Sequence, residues 1–358
     1  MPQYILRRLL ASLPVLFGIL FFTFALARVL PGDPCRAALG ERATDQVCDA
    51  FIKRNGLDQP IYTQFFIYFQ DVLRGDLGDS FRQGRPSTEI LIERLPTTVE
   101  LALSAMFFAT LVGVPLGIIS AYWRNSPVDV FTMILANVGV STPVFVLGLL
   151  LEYAFAILLK DTFLWLPPSG RLSAGINLPN LIEHWNLSDL AVWQETVLTF
   201  LSRMYVFNAL ITGNWEAFWD AIRHLILPAV AVGTIPLAII ARMTRSSILD
   251  VLGLDYIRTA RAKGLRMVRV VFRHAMRNAM LPVVTIIGLS LGGLLSGAVL
   301  TETVFNLPGV GRTMFEAITA RDYTVVQAFT LVIAMVYVGV NLVVDVLYAF
   351  MDPRVGLN

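Results

Sequence analysis

Long apolar stretches are the feature that most constrains the fold of this 358-residue chain. A helix needs about twenty apolar residues to cross the roughly 30 Å hydrocarbon core of a bilayer. Hydrophobic residues make up 56% of the chain and charged residues only 15%, a balance that a soluble surface does not have. The apolar stretches near that length lie at residues 9–29, 99–122, 130–159, 225–241, 281–300 and 325–351. The sequence therefore predicts an all-α, polytopic membrane protein with six transmembrane helices.

The first stretch has the charge pattern of a secretory signal, because Arg7 and Arg8 precede it. Its apolar run is longer than the apolar region of a signal peptide, and no small-x-small cleavage site precedes Pro31. We therefore predict a retained first span.

Lysine and arginine are unevenly distributed between alternating loops, and this bias predicts orientation. The segment between the fourth and fifth stretches is rich in arginine, whereas loops 30–98 and 160–224 carry more acids than bases. We therefore expect both termini to be cytoplasmic. The predicted organisation is an N-terminal transmembrane helix (1–29), an extracytoplasmic region (30–98) and a transmembrane core (99–358) with an outer loop (160–224).

The extracytoplasmic region carries an apolar repeat and two cysteines. Residues 58–73 have apolar side chains near a helical period and predict a short amphipathic helix, seated either on the membrane interface or, as we favour, on the protein core. Cys35 and Cys48 can form a disulfide outside the cytoplasm, or they can remain two thiols.

Catalytic and metal-binding motifs are not apparent. None of the three lysines, Lys53, Lys160 and Lys263, follows a glycine as in a phosphate-binding loop, and no Gly-x-Ser-x-Gly or HExxH motif occurs. The three histidines, His184, His224 and His274, are far apart in sequence, so no metal site is expected. A net charge of +2 gives no reason to expect a nucleic-acid partner. We predict a non-catalytic chain.

Two carboxylates fall inside predicted spans, where ionisable side chains often have functional roles. Glu152 lies in the third stretch, and Asp345 lies in the sixth, one helical turn after Asn341. Such residues can couple transport to protons, which keeps a carrier or channel open as an alternative. The favoured interpretation is structural, with each carboxylate reaching polar surroundings or an arginine.

The most informative segment is cytoplasmic and spans residues 255–278. Residues 256–263 can form a short helix, Gly264 can end it with a positive φ, and residues 267–278 can form a second helix. On the second helix the arginines are spaced to share one face, while Val268, Phe272 and Ala275 are expected to line another. Such arginines can either contact lipid headgroups or dock a partner protein.

Three features of this segment carry a family resemblance: the pair Thr259-Ala260, the glycine Gly264 and the downstream Leu281-Pro282. In this order they resemble the cytoplasmic coupling signature, or EAA loop, of binding-protein-dependent ABC importer permeases. Arg258 stands where the general signature has glutamate, and the distance from Gly264 to Pro282 is longer than usual. Both departures resemble the dipeptide and oligopeptide permease branch.

The resemblance extends along the whole chain. Other stretches similar to that branch are LPGDP (30–34), GDLG (75–78), RLPTTVEL (94–101), LPPSGR (166–171), IPL (235–237), RMTRSS (242–247), LTETVFNLPGVGR (300–312), DY (322–323) and DPR (352–354). The N-terminal span followed by LPGDP and the long outer loop resemble the first permease of an operon-encoded pair.

The resemblance implies a type I ABC importer permease fold in a bacterial or archaeal inner membrane. It implies a second homologous permease as heterodimer partner, two ATP-binding subunits that use ATP and Mg²⁺, and an extracytoplasmic solute-binding protein. This chain itself would hold no cofactor. The implied cargo is a di- or oligopeptide, with nickel, glutathione or an oligosaccharide as alternatives. The residues expected in the ATPase-coupling segment are Asp255, Tyr256, Arg258, Thr259, Ala260, Arg261, Lys263, Gly264, Arg266, Arg269 and Arg273.

Two further sets of residues are predicted sites. Small residues in the fifth span allow close helix approach, either to a partner permease or within this chain, and they are Gly288, Gly292, Gly293 and Gly297. Small polar residues are candidates for the translocation path, although such side chains also bond their own backbone, and they are Ser141, Thr142, Thr234, Thr285 and Ser290.

Overall fold

The computed structural model describes residues 2–29, 34–40 and 42–351. The regular secondary structure of the described residues is helical, apart from one isolated bridge between Asp79 and Pro86. The predicted all-α class is therefore confirmed. The LPGDP stretch lies mostly outside the described residues, and the DPR stretch lies entirely outside them.

The helices follow one another along the chain as three groups. The first group is α1 (Pro2–Val29), α2 (Pro34–Leu39), α3 (Asp45–Arg54), α4 (Ile61–Leu73) and α5 (Ser87–Tyr122). The second is α6 (Pro127–Ser141), α7 (Val144–Glu152, continued by a π-helical turn over Tyr153–Leu158), α8 (Leu181–His184), α9 (Val192–Ser202) and α10 (Tyr205–Thr212). The third is α11 (Trp215–Leu252), α12 (Asp255–Ala262), α13 (Met267–Arg269, continued by a π-helical turn over Val270–Ala275), α14 (Met276–Leu295), α15 (Val299–Val304), α16 (Val310–Thr319) and α17 (Tyr323–Met351).

Five helical segments are long and apolar enough to cross a membrane, and α6 with α7 form a sixth candidate that is bent by 100°. The expected third span (130–159) is therefore not one continuous helix. Thr142 takes an extended conformation with φ −107° and ψ 131°. The cause is Pro143, because a proline ring disfavours helical geometry in the residue before it.

Other span boundaries also differ from expectation, and the second span, expected at residues 99–122, already begins at Ser87. The fourth span was placed at residues 225–241, whereas α11 runs from Trp215 to Leu252. Asn214 caps its start by accepting a hydrogen bond from the Ala217 amide at 3.1 Å. The two ends of α11 are polar, and spans are recognised in a sequence by continuous apolar residues. The sequence prediction therefore missed both ends of this helix.

The fifth span also begins earlier than expected. The second helix expected at 267–278 and the span expected at 281–300 form one helical segment over Met267–Leu295, with the π-helical turn inside it. The separate second helix is therefore a wrong prediction. The segment ends before Gly297, whose φ is +100°.

Helix α11 lies at the centre of the bundle and α1 at its edge. In the apolar 18-residue stretch of α11, 72% of the residues are buried inside the protein, against 11% in the corresponding stretch of α1. Glycines let α5 approach α11 closely, because a Cβ at Gly117 would strike the Ala241 carbonyl and Thr244. The exposed apolar surface of α1 is typical of a helix that faces lipid.

The N-terminal elements pack through aromatic side chains. Phe65 of α4 is buried and lies edge-to-face with Phe21 and Phe24 of α1, with ring centroids 5.4 and 5.3 Å apart. The favoured seat of this amphipathic helix on the protein is thus observed. Nearby, Cys35 and Cys48 are both buried and joined in a disulfide.

The two carboxylates predicted within spans differ in their surroundings. Asp345 lies 2.9 Å from the guanidinium of Arg8, so the first and last helices are joined by an ion pair. This contact agrees with the structural interpretation of Asp345. Glu152 ends α7, directly before the π-helical turn.

Two glycines of the fifth span face a helix of the same chain. A Cβ at Gly288 would strike the side chain of Val344, and one at Gly292 would lie 3.0 Å from the Tyr337 ring. Both partners belong to α17, so packing within the chain accounts for these two glycines. Gly293 has open space beside it, and Gly297 lies close to Gly311. For Gly293 the partner interface stays a prediction.

Replacing Gly288 by alanine is expected to lower the thermal unfolding midpoint of this chain when it is produced alone in detergent. The added methyl overpacks the contact with Val344, which costs about 1–3 kcal/mol. Gly18→Ala is the matched control, because nothing lies within 4 Å of its Cβ position. The double variant Gly288→Ala/Val344→Ala should recover stability. If Gly288→Ala lowers the unfolding midpoint only when a second permease is present, the contact is between subunits instead.

Candidate functional site

The turn predicted within residues 255–278 is present. Helix α12 ends at Ala262, and Gly264 follows with a φ of +76°. Its amide donates to the Arg261 carbonyl at 2.9 Å, which satisfies a carbonyl left free at the helix end. Because a left-handed φ strains every residue with a side chain, glycine is the natural residue at this position.

Helix α12 is anchored on its inner face. Ile257 and Ala260 are buried, and they pack with Val270 and Ala275 of the π-helical turn. Residues at the end of α11 complete this small cluster. A displacement of α12 would therefore act on both the fourth and the fifth span.

Hydrogen bonds through Tyr256 reinforce this anchorage. The Tyr256 hydroxyl donates to the His274 carbonyl at 3.2 Å and accepts from the Asn278 amide nitrogen at 2.9 Å. Both partners lie near the start of the fifth-span segment. Of the coupling residues predicted from sequence, Ala260 thus contacts this segment by packing, and Tyr256 contacts it by hydrogen bonds.

The outward surface of the segment is basic. Among the cations of the coupling segment, Arg258 is the only one with an ion pair to another described residue, a 3.1 Å contact with Asp255 in which both side chains are largely exposed. Such exposed pairs contribute little, at most about 1 kcal/mol. The other predicted cations are all exposed, and they are Arg261, Lys263, Arg266, Arg269 and Arg273. This surface is free to meet an acidic partner.

The three apolar residues expected to share one face of the second helix differ in burial. Val268 and Phe272 are 54% and 56% exposed, and only Ala275 is buried. Val270 and Val271 take the inward positions instead. The π-helical turn causes the change, because it shifts the rotational register that a regular α-helix would keep. Exposed apolar and cationic side chains therefore share one surface.

A second candidate site is the groove where the third span breaks. It is an open cleft of about 840 Å³ between α6 and α11, and it is lined in part by Asn137, Ser141, Thr142, Arg242 and Arg245. We name this cleft the inner groove. It includes two of the five residues predicted for the translocation path.

The other three predicted path residues lie elsewhere. Ser290 lines a smaller, more apolar cleft of about 470 Å³, together with Gly293 and Gly297. Thr234 donates to the Ala231 carbonyl at 2.9 Å, and Thr285 donates to the Leu281 carbonyl at 3.2 Å. The alternative of bonding to their own helix therefore holds for Thr234 and Thr285, and also for Ser141 and Thr142, which donate to the Asn137 and Val138 carbonyls. The five residues do not form one site.

An ion pair closes one end of the inner groove and was missed from sequence. Asp129 accepts from Arg245 at both oxygens, with distances of 2.8 and 2.7 Å, and also from Ser120 and the Asn125 amide. These contacts join α5, α6 and α11. The RMTRSS stretch marked Arg245, but nothing in the sequence indicates that Asp129 is its partner.

The outer side of the bundle holds a buried carboxylate. Glu302 of α15 is fully buried, accepts from the Thr98 hydroxyl at 2.7 Å and accepts from the Arg312 amide at 2.8 Å. Burial raises the pKa of Glu302, against the lowering effect of these hydrogen bonds. The RLPTTVEL and LTETVFNLPGVGR stretches, distant in sequence, therefore meet at this point.

A buried ion pair holds the outer loop to the second span. Arg171 contacts Glu100 at 2.8 Å, and both side chains are less than 10% exposed. Arg171 also donates to the Arg203 carbonyl at 2.6 Å, and Glu100 accepts from the Val206 amide at 2.6 Å. The LPPSGR stretch thus fixes the loop that precedes α10.

Asp322 fastens the region before α5 to the last span. Its carboxylate accepts from the Ser80 hydroxyl and from the amides of Phe81 and Arg82. Nearby, burial raises the pKa of Tyr68 to about 12. Within the described ranges, no three His, Cys, Asp or Glu side chains are grouped to hold a metal ion.

A multi-pass helical membrane protein with an exposed basic turn between two spans and a groove at a broken span has the features of a transporter subunit. Comparison with known proteins shows the family to which the chain belongs. Residues 113–357 match the family described as binding-protein-dependent transport system inner membrane component, and residues 1–102 match the N-terminal part of such membrane components. The chain belongs to this family.

Individual relatives match over almost their whole length. The chain is 43% identical to the dipeptide transport system permease protein of Alkalihalophilus pseudofirmus and 44% identical to that of Escherichia coli strain K12, covering 99% of each chain in both cases. It is also 38% identical to a glutathione transport system permease protein of Escherichia coli O6:H1, again over 99% of both chains. The predicted role as a permease subunit of a binding-protein-dependent importer is confirmed.

Proposed function

We propose that this chain forms half of the translocation pathway of an ATP-driven importer of di- or oligopeptides. The observation that carries the proposal is the 43–44% identity to dipeptide permeases over 99% of the chain. The coupling segment supports it with an exposed, basic turn that is anchored to both neighbouring spans. Glutathione is the second candidate cargo, since a glutathione permease is also a full-length relative.

The proposed assembly contains this chain, a second homologous permease, two ATP-binding subunits and an extracytoplasmic solute-binding protein. ATP and Mg²⁺ bind in the ATP-binding subunits, and this chain is non-catalytic. We place the complex in a bacterial or archaeal inner membrane with both termini of this chain cytoplasmic. The Cys35–Cys48 disulfide supports that orientation, because disulfides persist in oxidising compartments. The division into residues 1–29, 30–98 and 99–358 is part of the same proposal.

The contacts suggest how ATP use reaches the pathway. The ATP-binding subunits hold α12 through its exposed cations, and their closure displaces it. Since Ile257 and Tyr256 fasten α12 to the ends of α11 and to the start of the fifth-span segment, both spans move with it. The inner groove lies along α11, so this movement changes its width.

The test is uptake into proteoliposomes that contain the full complex with its cognate solute-binding protein. Labelled dipeptides are expected to accumulate only with hydrolysable ATP. Accumulation of glutathione or nickel without dipeptides would overturn the proposed peptide cargo. Uptake that is independent of ATP would overturn the proposed coupling to ATP hydrolysis.

A further inference from the structure

Arginine side chains give the inner groove its charge. Arg242 and Arg245 lie one helical turn apart on α11, and both line the cleft. Across from them are Asn137, Ser141 and Thr142, the last at the break of the third span. Broken spans are places where membrane transporters bind substrates, because the interrupted backbone is tolerated where it lines a cavity.

The two arginines differ in their partners. The charge of Arg245 is neutralised by its bidentate contact with Asp129. Asp129 also accepts hydrogen bonds from Ser120 and the Asn125 amide. Arg242 has one contact within the described residues, a 3.4 Å bond from its Nε to the Ala238 carbonyl. No carboxylate of the described chain pairs with it. The groove therefore carries one positive charge that the described residues leave uncompensated.

Arg242 follows directly after the apolar stretch 225–241 of α11 and lines an open cleft, and arginines that face a cavity between spans mark pathways of charged substrates. A guanidinium presents parallel N–H donors that match the two oxygens of a carboxylate. Every linear peptide with an unmodified end carries a carboxylate at its C-terminus, whatever its side chains. A fixed cation in the groove would thus recognise peptides without selecting their sequence.

We propose that Arg242 receives the C-terminal carboxylate of the transported peptide in the inner groove. The proposal rests on the proposed function, because it assumes a peptide cargo. Arg245, held by Asp129, is a positioning residue that keeps the wall of the groove in place beside Arg242.

The test compares a labelled dipeptide with its C-terminal amide in the complete reconstituted complex. The quantity measured is the ratio of the two uptake efficiencies, acid over amide. In Arg242→Gln this ratio is expected to fall at least tenfold below that of the unmodified complex. Any preference of the solute-binding protein enters both complexes equally and cancels in the comparison. Arg242→Lys, which keeps the charge but loses the paired donors, should give an intermediate ratio.

The matched control is Arg124→Gln, which removes an exposed cation from the turn between α5 and α6, outside the lining of the inner groove. Its acid-to-amide ratio should equal that of the unmodified complex. If Arg242→Gln lowers uptake of acid and amide by the same factor, Arg242 binds something other than the peptide, such as a lipid phosphate, and the proposal is overturned. An unchanged ratio overturns it as well.

A second measurement covers the case in which the amide is not admitted at all. Dipeptide uptake per ATP hydrolysed should fall at least tenfold in Arg242→Gln, while ATP turnover stimulated by the loaded solute-binding protein is retained. Equal loss of dipeptide uptake per ATP and of stimulated ATP turnover would indicate general damage to coupling and would overturn the proposal. Failure of the unmodified complex to import any dipeptide would instead overturn the proposed function, so the two failures are distinguishable.

Discussion

Replacing Gly264 by valine is expected to reduce ATP-driven uptake at least tenfold while the chain still inserts and assembles with its second permease. Gly264 has a φ of +76°, where a β-branched residue is strained by about 1–3 kcal/mol. Every 1.4 kcal/mol or so changes an equilibrium tenfold. Since nothing lies within 4 Å of the Cβ position, the strain comes from the backbone alone. Relieving this backbone strain requires another turn geometry. Such a change would move α12 out of the packing contacts made by Ile257 and Ala260.

Gly264→Asn is the matched control, because asparagine tolerates the left-handed conformation better than other residues with a side chain. It should retain most of the uptake. Co-purification of the ATP-binding subunits with each variant reports docking separately from transport. Unchanged ATP-coupled transport in Gly264→Val would show that residues 255–278 are not the docking segment.

Replacing Gly309 by alanine is expected to produce the largest loss of stability among single methyl additions. The new Cβ would fall on the buried carboxyl group of Glu302. Overpacking costs about 1–3 kcal/mol, and each hydrogen bond that the displaced carboxylate loses to Thr98 or to the Arg312 amide adds about 1–3 kcal/mol. The measurement is the thermal unfolding midpoint of the chain in detergent or nanodiscs.

Gly339→Ala is the control for this prediction. Gly339 lies in α17, and nothing lies within 4 Å of its Cβ position, so its midpoint should stay near that of the unmodified chain. Equal midpoints for Gly309→Ala and Gly339→Ala would mean that the contact with Glu302 does not hold the outer corner together.

Features encoded by local pattern could be predicted from the sequence. The membrane class follows from apolar length, α4 follows from its aromatic period, and the turn at Gly264 follows from glycine after a basic helix. In each case neighbouring residues carry the whole signal. The break at Thr142–Pro143 also had a local signal, which the long apolar run concealed.

Features that depend on distant residues could not be predicted. The π-helical turn at Val270–Ala275 packs against α12, and a regular helical period gives no sign of it, so the burial of Val270 could not be read from the sequence. Likewise, the fifth-span glycines show small side chains but not which helix approaches them. The pairs Asp129–Arg245 and Glu100–Arg171 join residues that no spacing rule connects. For the inner groove, sequence offered Ser141 and Thr142 but not the charge beside them.

The contact between Arg8 and Asp345 has a consequence for the biosynthesis of the permease. These residues are far apart in sequence, so α1 finds its ionic partner only after α17 has been made. Until then α1, with little of its surface covered by protein, depends on lipid and on α4 for its contacts. Insertion of α1 can therefore precede its ionic contact with α17 by the synthesis of every helix between them.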